Sequence, residues 1–485
     1  MGRFASPARR PFPRAIPAVD DFSLARSQAR GFVMHSPQHR PTPRRRFLRS
    51  AAALAAAPWV VPASAIGADG STAASDRITL GFIGVGCMGR GHLRHFLQYP
   101  EVQVLAVCDV DAWRLEDAKT TVERKYADAR ASGAYRGCAA YVDLRELLAR
   151  ADIDAAVIVT GDRWHAVATV MAVESGKDVY VEKPLCLTIA EGRAMVEAVR
   201  RHGRVCQVGL QQRSGREFRI ACQLVRDGAL GKIDRVYTIF NQPSIDIQLP
   251  AEPVPPTLHW DLWLGPSPWR PFNHRFHYLG RPLNVVPWEF CRDFGNGGMS
   301  SGGVHAFDVV QWALGMDASG PVEVIPPEAG LFPDLTFKYA RGELLHVTDG
   351  RLDSRRHAIP KGWDPSTPIQ AFGAVFVGER GWIHVGRNGY LTSHPAEIVR
   401  DLPGRYDHLL AVQDHHADFL KAVRTRGRPA CDVSIGHQST ILPILGCIAR
   451  WTGRALKWDP SREEFVGDDD ANRMRQRAMR EPWRV

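Results

Sequence analysis

Two short runs in the middle of the chain carry the side chains best suited to catalysis. The first, Glu182-Lys183-Pro184, follows an apolar segment typical of a buried strand, and α/β sheets bind ligands where their strands end. A lysine there can hold a substrate hydroxyl and assist its proton transfer as a hydride leaves the carbon. From position alone, a plain surface lysine after a strand is an equal alternative.

The second run, Gly302-Gly303-Val304-His305-Ala306-Phe307-Asp308, sets a histidine and an aspartate three residues apart, which places them on one face of a helix. A carboxylate near an imidazole can orient the ring or raise its pKa. The sequence therefore predicts His305 and Asp308 as catalytic residues together with Lys183. A buried structural His–Asp pair is the alternative.

A dinucleotide-binding loop is predicted at Gly84-Val85-Gly86-Cys87-Met88-Gly89. The motif is weak alone, but here it follows an apolar strand, opens a helix and precedes an acid by about twenty residues. Gly84 allows the tight turn, Gly86 lets the backbone approach a pyrophosphate, and Gly89 lets the helix pack close to the strand. The helix start at Cys87 and Met88 would face the phosphates.

Asp109 ends the second predicted strand. Its carboxylate can accept hydrogen bonds from both hydroxyls of an adenosine ribose, and its charge repels a 2′-phosphate. The expected cofactor is therefore NAD. Arg114 follows closely enough to weaken this preference, so that NADP remains an alternative.

A third run, Thr160-Gly161-Asp162-Arg163-Trp164-His165, also follows the end of a strand. It is predicted to line the nicotinamide side of the cofactor through Thr160, Asp162 and His165, with Glu182 and Lys183 nearby. For His165, capping of its helix is an equally good interpretation.

No metal site is predicted. Asp414, His415 and His416 are adjacent, and consecutive residues on a helix point in different directions, so joint ligation is not expected. The nine cysteines are scattered without a Cys-x-x-Cys pair, which indicates neither a zinc site nor a disulfide framework.

The frame for these residues is predicted from the alternation of apolar runs and helical stretches between residues 76 and 209, which is typical of a parallel α/β sheet between helix layers. Residues 76–209 are expected to form a Rossmann domain with a doubly wound parallel sheet. The predicted strands cover 78–85, 102–109, 153–160, 178–182 and 204–208, and the predicted helices cover 88–98, 112 to about 129, 144–149, 163–175 and 189–201.

Residues 210–485 are expected to form an α+β domain with an open, mostly antiparallel sheet, used for substrate binding and oligomerisation. A loop over 243–287, rich in proline, tryptophan and histidine, would shape the pocket, and 459–485 resembles a polar tail. The predicted strands cover 236–240, 322–325, 374–377 and 382–385, and the predicted helices cover 304–314, 408–424 and 435–452.

The net charge of +10 is concentrated in residues 1–49, which hold eleven arginines and two aspartates, and the rest of the chain is close to neutral. A nucleic-acid-binding domain would keep its charge in the folded body, so nucleic acid is excluded as a partner.

Residues 1–75 are predicted to be an export leader and linker. Arg44-Arg45-Arg46-Phe47-Leu48-Arg49, an uncharged stretch over 50–61 and Ala63-Ser64-Ala65 follow the order of a twin-arginine signal, its apolar region and its cleavage site. The expected location is the periplasm or the medium, with Met1 or Met34 as the start. No segment has the length of a transmembrane span.

Together these segments resemble the Gfo/Idh/MocA oxidoreductase family, particularly its exported twin-arginine branch, from about residue 76 to the end. The similarity rests on the glycine loop with Asp109, on Glu182-Lys183-Pro184, on the His305 and Asp308 helix, and on Asp261-Leu262-Trp263-Leu264-Gly265-Pro266, Gln311-Trp312-Ala313-Leu314-Gly315 and Trp458-Asp459-Pro460.

This resemblance implies a Rossmann domain followed by a domain whose open sheet packs a sugar or cyclitol against the nicotinamide of NAD or NADP. It implies Lys183 as the catalytic lysine, His305 as the acid–base histidine, and a homodimer or homotetramer. Family members often carry an aspartate four residues before that histidine and Thr-Pro after the fourth strand. This chain has Ser301 and Thr160-Gly161 there, so the family's proton relay lacks a carboxylate.

Three functions are compatible with these features. The first is NAD(P)-dependent oxidation or reduction at a CH–OH group of a sugar, sugar derivative or cyclitol. The second follows from export, because a tightly bound, recycled NAD would suit redox-neutral glycoside cleavage or sugar–sugar oxidoreduction. The third is a non-catalytic sugar-binding protein, against which the intact glycine loop and Lys183 argue.

Overall fold

The structure is a computed structural model that describes residue 73 and residues 76–277, 287–402, 404–411 and 413–485. The predicted twin-arginine motif and cleavage site fall outside these ranges. Among the helices within them, none is both long enough and apolar enough to cross a bilayer.

The first half of the described chain forms a parallel sheet with helices on its faces. Its strands are β1 (Ile78–Ile83), β2 (Val102–Cys108), β3 (Ala139–Tyr141), β4 (Ala155–Ile158), β5 (Asp178–Val181) and β6 (Cys206–Val208). They pair in the order β3-β2-β1-β4-β5-β6, with parallel register throughout. Because β4 and β5 are buried along their whole length, helices must cover both faces. The predicted doubly wound Rossmann sheet is confirmed.

The helices of this half follow the strands in the expected alternation. They are α1 (Cys87–Phe96), α2 (Ala112–Lys125), α3 (Ala127–Ala131), α4 (Leu144–Leu148), α5 (Asp162–Glu174) and α6 (Ile189–Arg201). The single helix expected over 112–129 is wrong, because Tyr126 leaves the helical conformation (φ −102°, ψ 23°) and its hydroxyl donates to the Val102 carbonyl at 3.1 Å. Strand β3 was not predicted, since three residues are too few to show a period.

The second half of the described chain forms a mixed sheet. Its strands are β7 (Ile233–Thr238), β8 (Glu323–Ile325), β9 (Leu335–Lys338), β10 (Leu344–Val347), β11 (Ala374–Gly378), β12 (Gly381–Val385), β13 (Leu391–His394), β14 (Leu456–Asp459) and β15 (Glu464–Phe465). Their order is β13-β12-β11-β7-β10-β9-β8-β14-β15. In these ranges β7 and β10 pair in parallel and the other ladders are antiparallel, which confirms the open, mostly antiparallel sheet.

The helices of the second half lie against this sheet and against the Rossmann sheet. They are α7 (Arg216–Arg226), α8 (Trp260–Leu264), α9 (Val304–Ala313), α10 (Glu397–Arg400), α11 (Asp407–Leu410), α12 (His415–Thr425), α13 (Val433–Thr452) and α14 (Asp469–Arg473). The continuous helix expected over 408–424 is wrong: a new helix begins at His415, because the Asp414 carboxylate caps it by accepting the amides of His416 (2.8 Å) and Ala417 (3.1 Å).

Two segments that looked irregular in the sequence are packed in the structure. The loop after β7 has its own apolar cluster, in which Trp260 and Trp263 stack at 4.4 Å and are buried together with Phe272. The predicted polar tail is also wrong, because Trp483 is only 6% exposed and packs on Trp164 with a centroid separation of 4.7 Å. Aromatic residues without a regular sequence spacing anchor both segments. No helical or strand period therefore marks these segments in the sequence.

Candidate active site

The glycine loop between β1 and α1 has the conformation that a dinucleotide requires. Gly84 has φ +84°, and a Cβ there would lie 2.5 Å from the Val159 carbonyl oxygen. A Cβ on Gly89 would lie 2.2 Å from the Gly84 carbonyl oxygen, so this glycine sets how closely α1 approaches β1. The N-cap residue is Gly86, which has no side chain to cap the helix, and a bound phosphate would take that role.

The start of α1 is open to a ligand. Cys87 and Met88 are both exposed at the first turn, and an acidic side chain is missing from that described turn, so nothing there would repel an anion. The glycine loop, the exposed helix start and Asp109 together fit a dinucleotide diphosphate and ribose.

Asp109 lies directly after β2 and is buried. Its Oδ2 accepts the Val85 amide at 2.8 Å, and its Oδ1 accepts the Asp111 amide at 3.0 Å. These bonds fix the carboxylate beside the glycine loop and leave further lone pairs for ribose hydroxyls. The Arg114 guanidinium lies next to Gly86 and 3.5 Å from Asp111 Oδ2, so it flanks the same site.

Lys183 lies where the Rossmann half of the chain meets the second half. It follows β5, and its Nζ donates to the Ser301 carbonyl oxygen at 2.7 Å. Ser301 belongs to a π-helical turn, Met299–Gly303, that leads into α9. This contact aims the lysine at the start of the helix that carries His305, as a shared role for the two residues requires.

Glu182 is buried and charged. Its Oε1 accepts from Gln211 Nε2 at 2.8 Å and lies 2.9 Å from His92 Nε2, while its Oε2 accepts the Lys183 amide at 3.1 Å. Burial alone would raise the pKa of this carboxyl, but the His92 hydrogen bond and the charge of Lys183 outweigh it and lower the pKa to about 2. Glu182 thus anchors the backbone that carries Lys183.

His305 is buried in the candidate site. Its ring is 3% exposed, and within the described residues its Nδ1 has no hydrogen-bond partner. Burial, together with the charges of Lys183 and Arg387, lowers its pKa well below the ordinary histidine value. The ring is therefore neutral near pH 7, with an unprotonated nitrogen that can accept a proton.

The predicted pair of His305 and Asp308 does not form. The Asp308 carboxylate accepts from Arg213 Nε and Nη2 at 2.8–3.0 Å and from the Ser439 hydroxyl at 2.7 Å. It is fully buried in this network. The two residues share a helical face in sequence, but the arginine on a neighbouring segment turns the carboxylate away from the imidazole, so Asp308 holds α9 in place.

Two further carboxyl groups lie near Lys183. Asp162, the first residue of α5, is buried, and burial together with the charge of Glu289 raises its pKa to about 8. Burial also raises the pKa of Glu289, which the Lys183 charge and a hydrogen bond from Ser301 only partly offset. Ser301 is at the position where the resembled family often has an aspartate. Its side chain is hydrogen-bonded to the carboxyl group of Glu289, which comes from another segment of the chain.

His165 supports the site without facing it. Its Nδ1 lies 2.7 Å from the Pro184 carbonyl oxygen and its Nε2 lies 3.2 Å from the Thr160 carbonyl oxygen. Both ring nitrogens are thereby engaged in joining the loops after β4 and β5. A Cβ on Gly161 would lie 2.4 Å from the Arg163 guanidinium, so a side chain there would require that arginine to shift.

Sequence reasoning missed four residues that complete the site. Glu289 approaches it from a short 3-10 helix, Pro287–Phe290, and Arg387 from a loop, while His92 and Gln211 hold Glu182. Arg387 is exposed, with its guanidinium 3.8 Å from the Phe372 ring centroid, and the Phe372 ring faces His305 at 5.7 Å. No local pattern marks these residues, except that His92 lies one helical turn after Gly89 on the buried face of α1.

Two family-level sequence models match the chain. One, described as an oxidoreductase family with an NAD-binding Rossmann fold, matches residues 78–210. The other, described as the C-terminal alpha/beta domain of an oxidoreductase family, matches residues 241–345 and 379–485. Both matches fall on the halves that contain the glycine loop, Lys183 and His305.

The chain is also similar to curated proteins and to proteins of known structure. A glycosyl hydrolase family 109 protein from Shewanella pealeana is 34% identical over 160 residues, which are 33% of this chain and 34% of that protein. The match thus spans about a third of the relative's length. The WlbA dehydrogenase of Chromobacterium violaceum, solved with NADH and UDP-GlcNAcA, has a TM-score of 0.53 at 17% identity, over 80% of this chain and 98% of that chain.

The WlbA dehydrogenase of Bordetella pertussis, also solved with NADH and UDP-GlcNAcA, has a TM-score of 0.50 at 17% identity, over 79% of this chain and 99% of that chain. At such low identity these two likenesses establish the fold, with its NAD-binding Rossmann sheet and second sheet, and nothing finer.

Proposed function

We propose that this chain, which belongs to the Gfo/Idh/MocA oxidoreductase family, is an NAD-dependent oxidoreductase acting on a CH–OH group of a sugar, sugar derivative or cyclitol. One observation carries the proposal. The Lys183 ammonium is held by the carbonyl of Ser301, four residues before a buried, neutral His305 whose Nδ1 lacks a partner in the described chain. A hydroxyl between them would meet both a hydrogen-bond donor and a base.

The side chains of the site divide the work of proton transfer. NAD, when bound, supplies the acceptor for the hydride. Lys183 keeps one N–H on Ser301 and directs another at the substrate oxygen, which stabilises the negative charge that grows there. His305 accepts the hydroxyl proton, since its ring is neutral and its Nδ1 is unengaged. General acid–base help of this kind contributes about 10²–10⁴-fold to the rate.

Glu289 takes the place of the missing family carboxylate in this proposal. Ser301 cannot ionise, but its hydroxyl donates to Glu289, whose raised pKa keeps it protonated to a higher pH than an ordinary glutamate. Glu289 can therefore exchange a proton with the substrate beside Lys183. The presence of Glu289 therefore supports a working proton relay, even though Ser301 replaces the aspartate that the family often has.

The cofactor proposed is NAD in preference to NADP. Asp109 is fixed beside the glycine loop by two backbone amides, and its charge opposes a 2′-phosphate. Arg114 is held by Asp111, so its charge is partly engaged.

Redox-neutral glycoside cleavage is a second candidate. It is favoured by two carboxyl groups with raised pKa values, Asp162 and Glu289, near one lysine, because an expelled leaving group needs a proton donor that simple dehydrogenation does not. The relative named as a glycosyl hydrolase supports it. Oxidation of a sugar hydroxyl to a ketone would acidify the neighbouring C–H, elimination would expel the aglycone, water would add, and the hydride would return.

A substrate screen separates these candidates. The purified protein is examined for bound reduced nicotinamide and is then mixed with free sugars, inositols and aryl glycosides. Net NADH from a free sugar or inositol supports the first candidate, and aglycone release without net NADH supports the second. Failure to bind NAD or NADP refutes both and leaves a sugar-binding protein without redox chemistry.

Export through the twin-arginine route is part of the proposal, supported by Arg44 and Arg45 in a leader with the right order of signals. Replacing both by lysine should retain the protein in the cytoplasm, and secretion of that variant would refute the route. A homodimer or homotetramer formed through the open sheet is likewise proposed, and light scattering after gel filtration measures it.

A further inference from the structure

A group of metal-ligand side chains adjoins the site described above on the far side of His92. In the described residues, His95, Asp414 and His416 each offer a ligand atom, and these atoms all lie within 4.8 Å of one another. His95 Nε2 is 3.1 Å from Asp414 Oδ2, and His416 Nδ1 is 3.7 Å from Asp414 Oδ1. His95 is in the last turn of α1, and the other two residues begin α12.

The orientation of the His416 ring is fixed by its neighbours. Its Nε2 lies 2.7 Å from His92 Nδ1, and its ring stacks on Tyr180 with a centroid separation of 5.4 Å. His415, the adjacent histidine, points elsewhere, since its Nε2 lies 3.0 Å from the Val208 carbonyl oxygen. His415 and His416 thus point in different directions, and the side chain that joins Asp414 and His416 is His95, on a distant helix.

The contacts of His416 suit a ring that binds a metal ion through Nδ1. The Glu182 carboxylate can only accept, so His92 Nε2 donates to it. With a metal ion on His416 Nδ1, the Nε2 of His416 would carry the ring proton and donate it to His92 Nδ1 at 2.7 Å.

We propose that His95, Asp414 and His416 bind a divalent transition metal ion of the zinc class. Imidazole nitrogen and carboxylate oxygen are zinc ligands at about 2.0–2.2 Å, and two such atoms on a tetrahedral ion are about 3.3 Å apart. The observed separations of 3.1 and 3.7 Å lie on either side of that value. The side chains of His95 and Asp414 are 45% and 41% exposed, so water can fill the fourth position.

The residues around His416 can hold it in the orientation that a metal ligand needs. A ligating histidine usually donates its other ring N–H to a fixed acceptor, and His92, which is held by Glu182, would accept that hydrogen bond from a metal-bound His416. The ion would join α1, which carries the glycine loop, to α12 of the second half. We expect it to stabilise the folded chain, and its binding does not depend on the proposed redox function.

The test uses the full mature chain without a histidine tag, after treatment with a chelator. Zn²⁺ is titrated by calorimetry and Co²⁺ by visible absorption, since tetrahedral cobalt gives intense bands. His95→Ala removes an exposed ligand, and Asp414→Asn keeps the helix cap while removing the charge. His408→Ala, at an exposed histidine on α11, is the control for adventitious surface binding.

The expected result is one tight equivalent of Zn²⁺ with a rise in Tm. His95→Ala and Asp414→Asn should each weaken binding by at least about 10–100-fold, whereas His408→Ala should bind as the wild type does. Undetectable binding at micromolar Zn²⁺, or equal binding by wild type and both ligand variants, would overturn the proposal. Circular dichroism of each variant excludes loss of binding through unfolding.

Discussion

The Nζ of Lys183 donates a hydrogen bond to the carbonyl oxygen of Ser301 at 2.7 Å. This contact joins the end of β5, in the Rossmann sheet, to the π-helical turn before α9. It brings together in space a lysine and a histidine that are 122 positions apart in the sequence. A substrate hydroxyl can meet both side chains only because of this juxtaposition.

Lys183→Ala is expected to lower kcat by about 10²–10⁴-fold, the usual contribution of a positioned proton-transfer group. Affinity for NAD should change little, because the glycine loop and Asp109 provide the contacts to the cofactor. Steady-state kinetics and NAD titration measure the two effects, and Lys232→Ala, at an exposed lysine, is the control. A Lys183→Ala enzyme with wild-type kcat would remove this residue from the mechanism.

Gly89→Ala is expected to abolish NAD binding and lower Tm, because the new Cβ would lie 2.2 Å from the Gly84 carbonyl oxygen. Gly91→Ala is a matched control in the same helix, where a Cβ meets no atom within 4 Å. Alanine favours a helix over glycine by about 1 kcal/mol, so Gly91→Ala should raise the Tm and keep NAD binding. Equal NAD affinity in the two variants would contradict the close packing inferred for this loop.

Asp162→Asn is expected to stabilise the protein increasingly as the pH rises. The pKa of Asp162 is raised to about 8, whereas it is about 3.9 in an unfolded chain. The folded state therefore binds the extra proton between these values, and the wild type loses up to about 1.4 kcal/mol of stability per pH unit across that window. Asparagine removes this loss.

Urea denaturation at pH 5, 6, 7 and 8 checks this prediction through the difference in unfolding free energy between variant and wild type. Asp128→Asn, at an exposed position, should show no such trend. A difference that stays flat or falls with pH would show that Asp162 is ionised in the folded protein.

Glu289→Gln is expected to lower kcat by about 10-fold or more while leaving Tm nearly unchanged, because the amide keeps the bond to Ser301 but cannot exchange a proton. In the wild type, activity that needs protonated Glu289 should fall as the pH rises through its raised pKa, and this limb of the pH–kcat profile should vanish in the variant. The exposed Glu197→Gln serves for comparison. An unchanged profile in Glu289→Gln would exclude the residue from proton transfer.

Asp308→Asn tests the structural role assigned to this carboxylate. Breaking a buried ion pair by removing one partner costs about 3–5 kcal/mol, and among the residues that the structure describes Arg213 would keep only the half-buried Asp317 as a charged partner, at 2.6 Å. Tm should therefore drop steeply while kcat, measured below the unfolding range, changes less than about 3-fold. A folded variant with a 100-fold loss of kcat would instead place Asp308 in the catalytic machinery.

The parts of this molecule that repeat a local pattern could be predicted from the sequence. The Gly84 to Gly89 loop and the parallel strands are local in this sense, since each follows from a few consecutive residues and the hydrophobic period. The pair of His305 and Asp308 was predicted by the same local rule, and it failed because Arg213, nearly a hundred residues earlier, competes for the carboxylate.

Contacts between segments that are far apart in the sequence could not be predicted from local patterns. Glu289 reaches Ser301 from a loop with its own packing, and His95 meets Asp414 across more than three hundred residues. The sequence spacing of neither pair matches the repeat of a helix or a strand, because only tertiary packing brings the two residues together. The serine at position 301, where the family often has an aspartate, can be read from the sequence, but its hydrogen bond to Glu289 required the fold.

The most direct test of the central claim is a single-turnover experiment with NAD-loaded protein and the sugar or glycoside found in the screen. If Lys183 and His305 pass the hydroxyl proton while the hydride leaves, a transient of reduced nicotinamide should form in the wild type. It should slow when the carbinol hydrogen is replaced by deuterium, and it should form about 10²–10⁴-fold more slowly in Lys183→Ala. Turnover of the substrate without any reduced nicotinamide, or with the same transient in Lys183→Ala, would contradict the account.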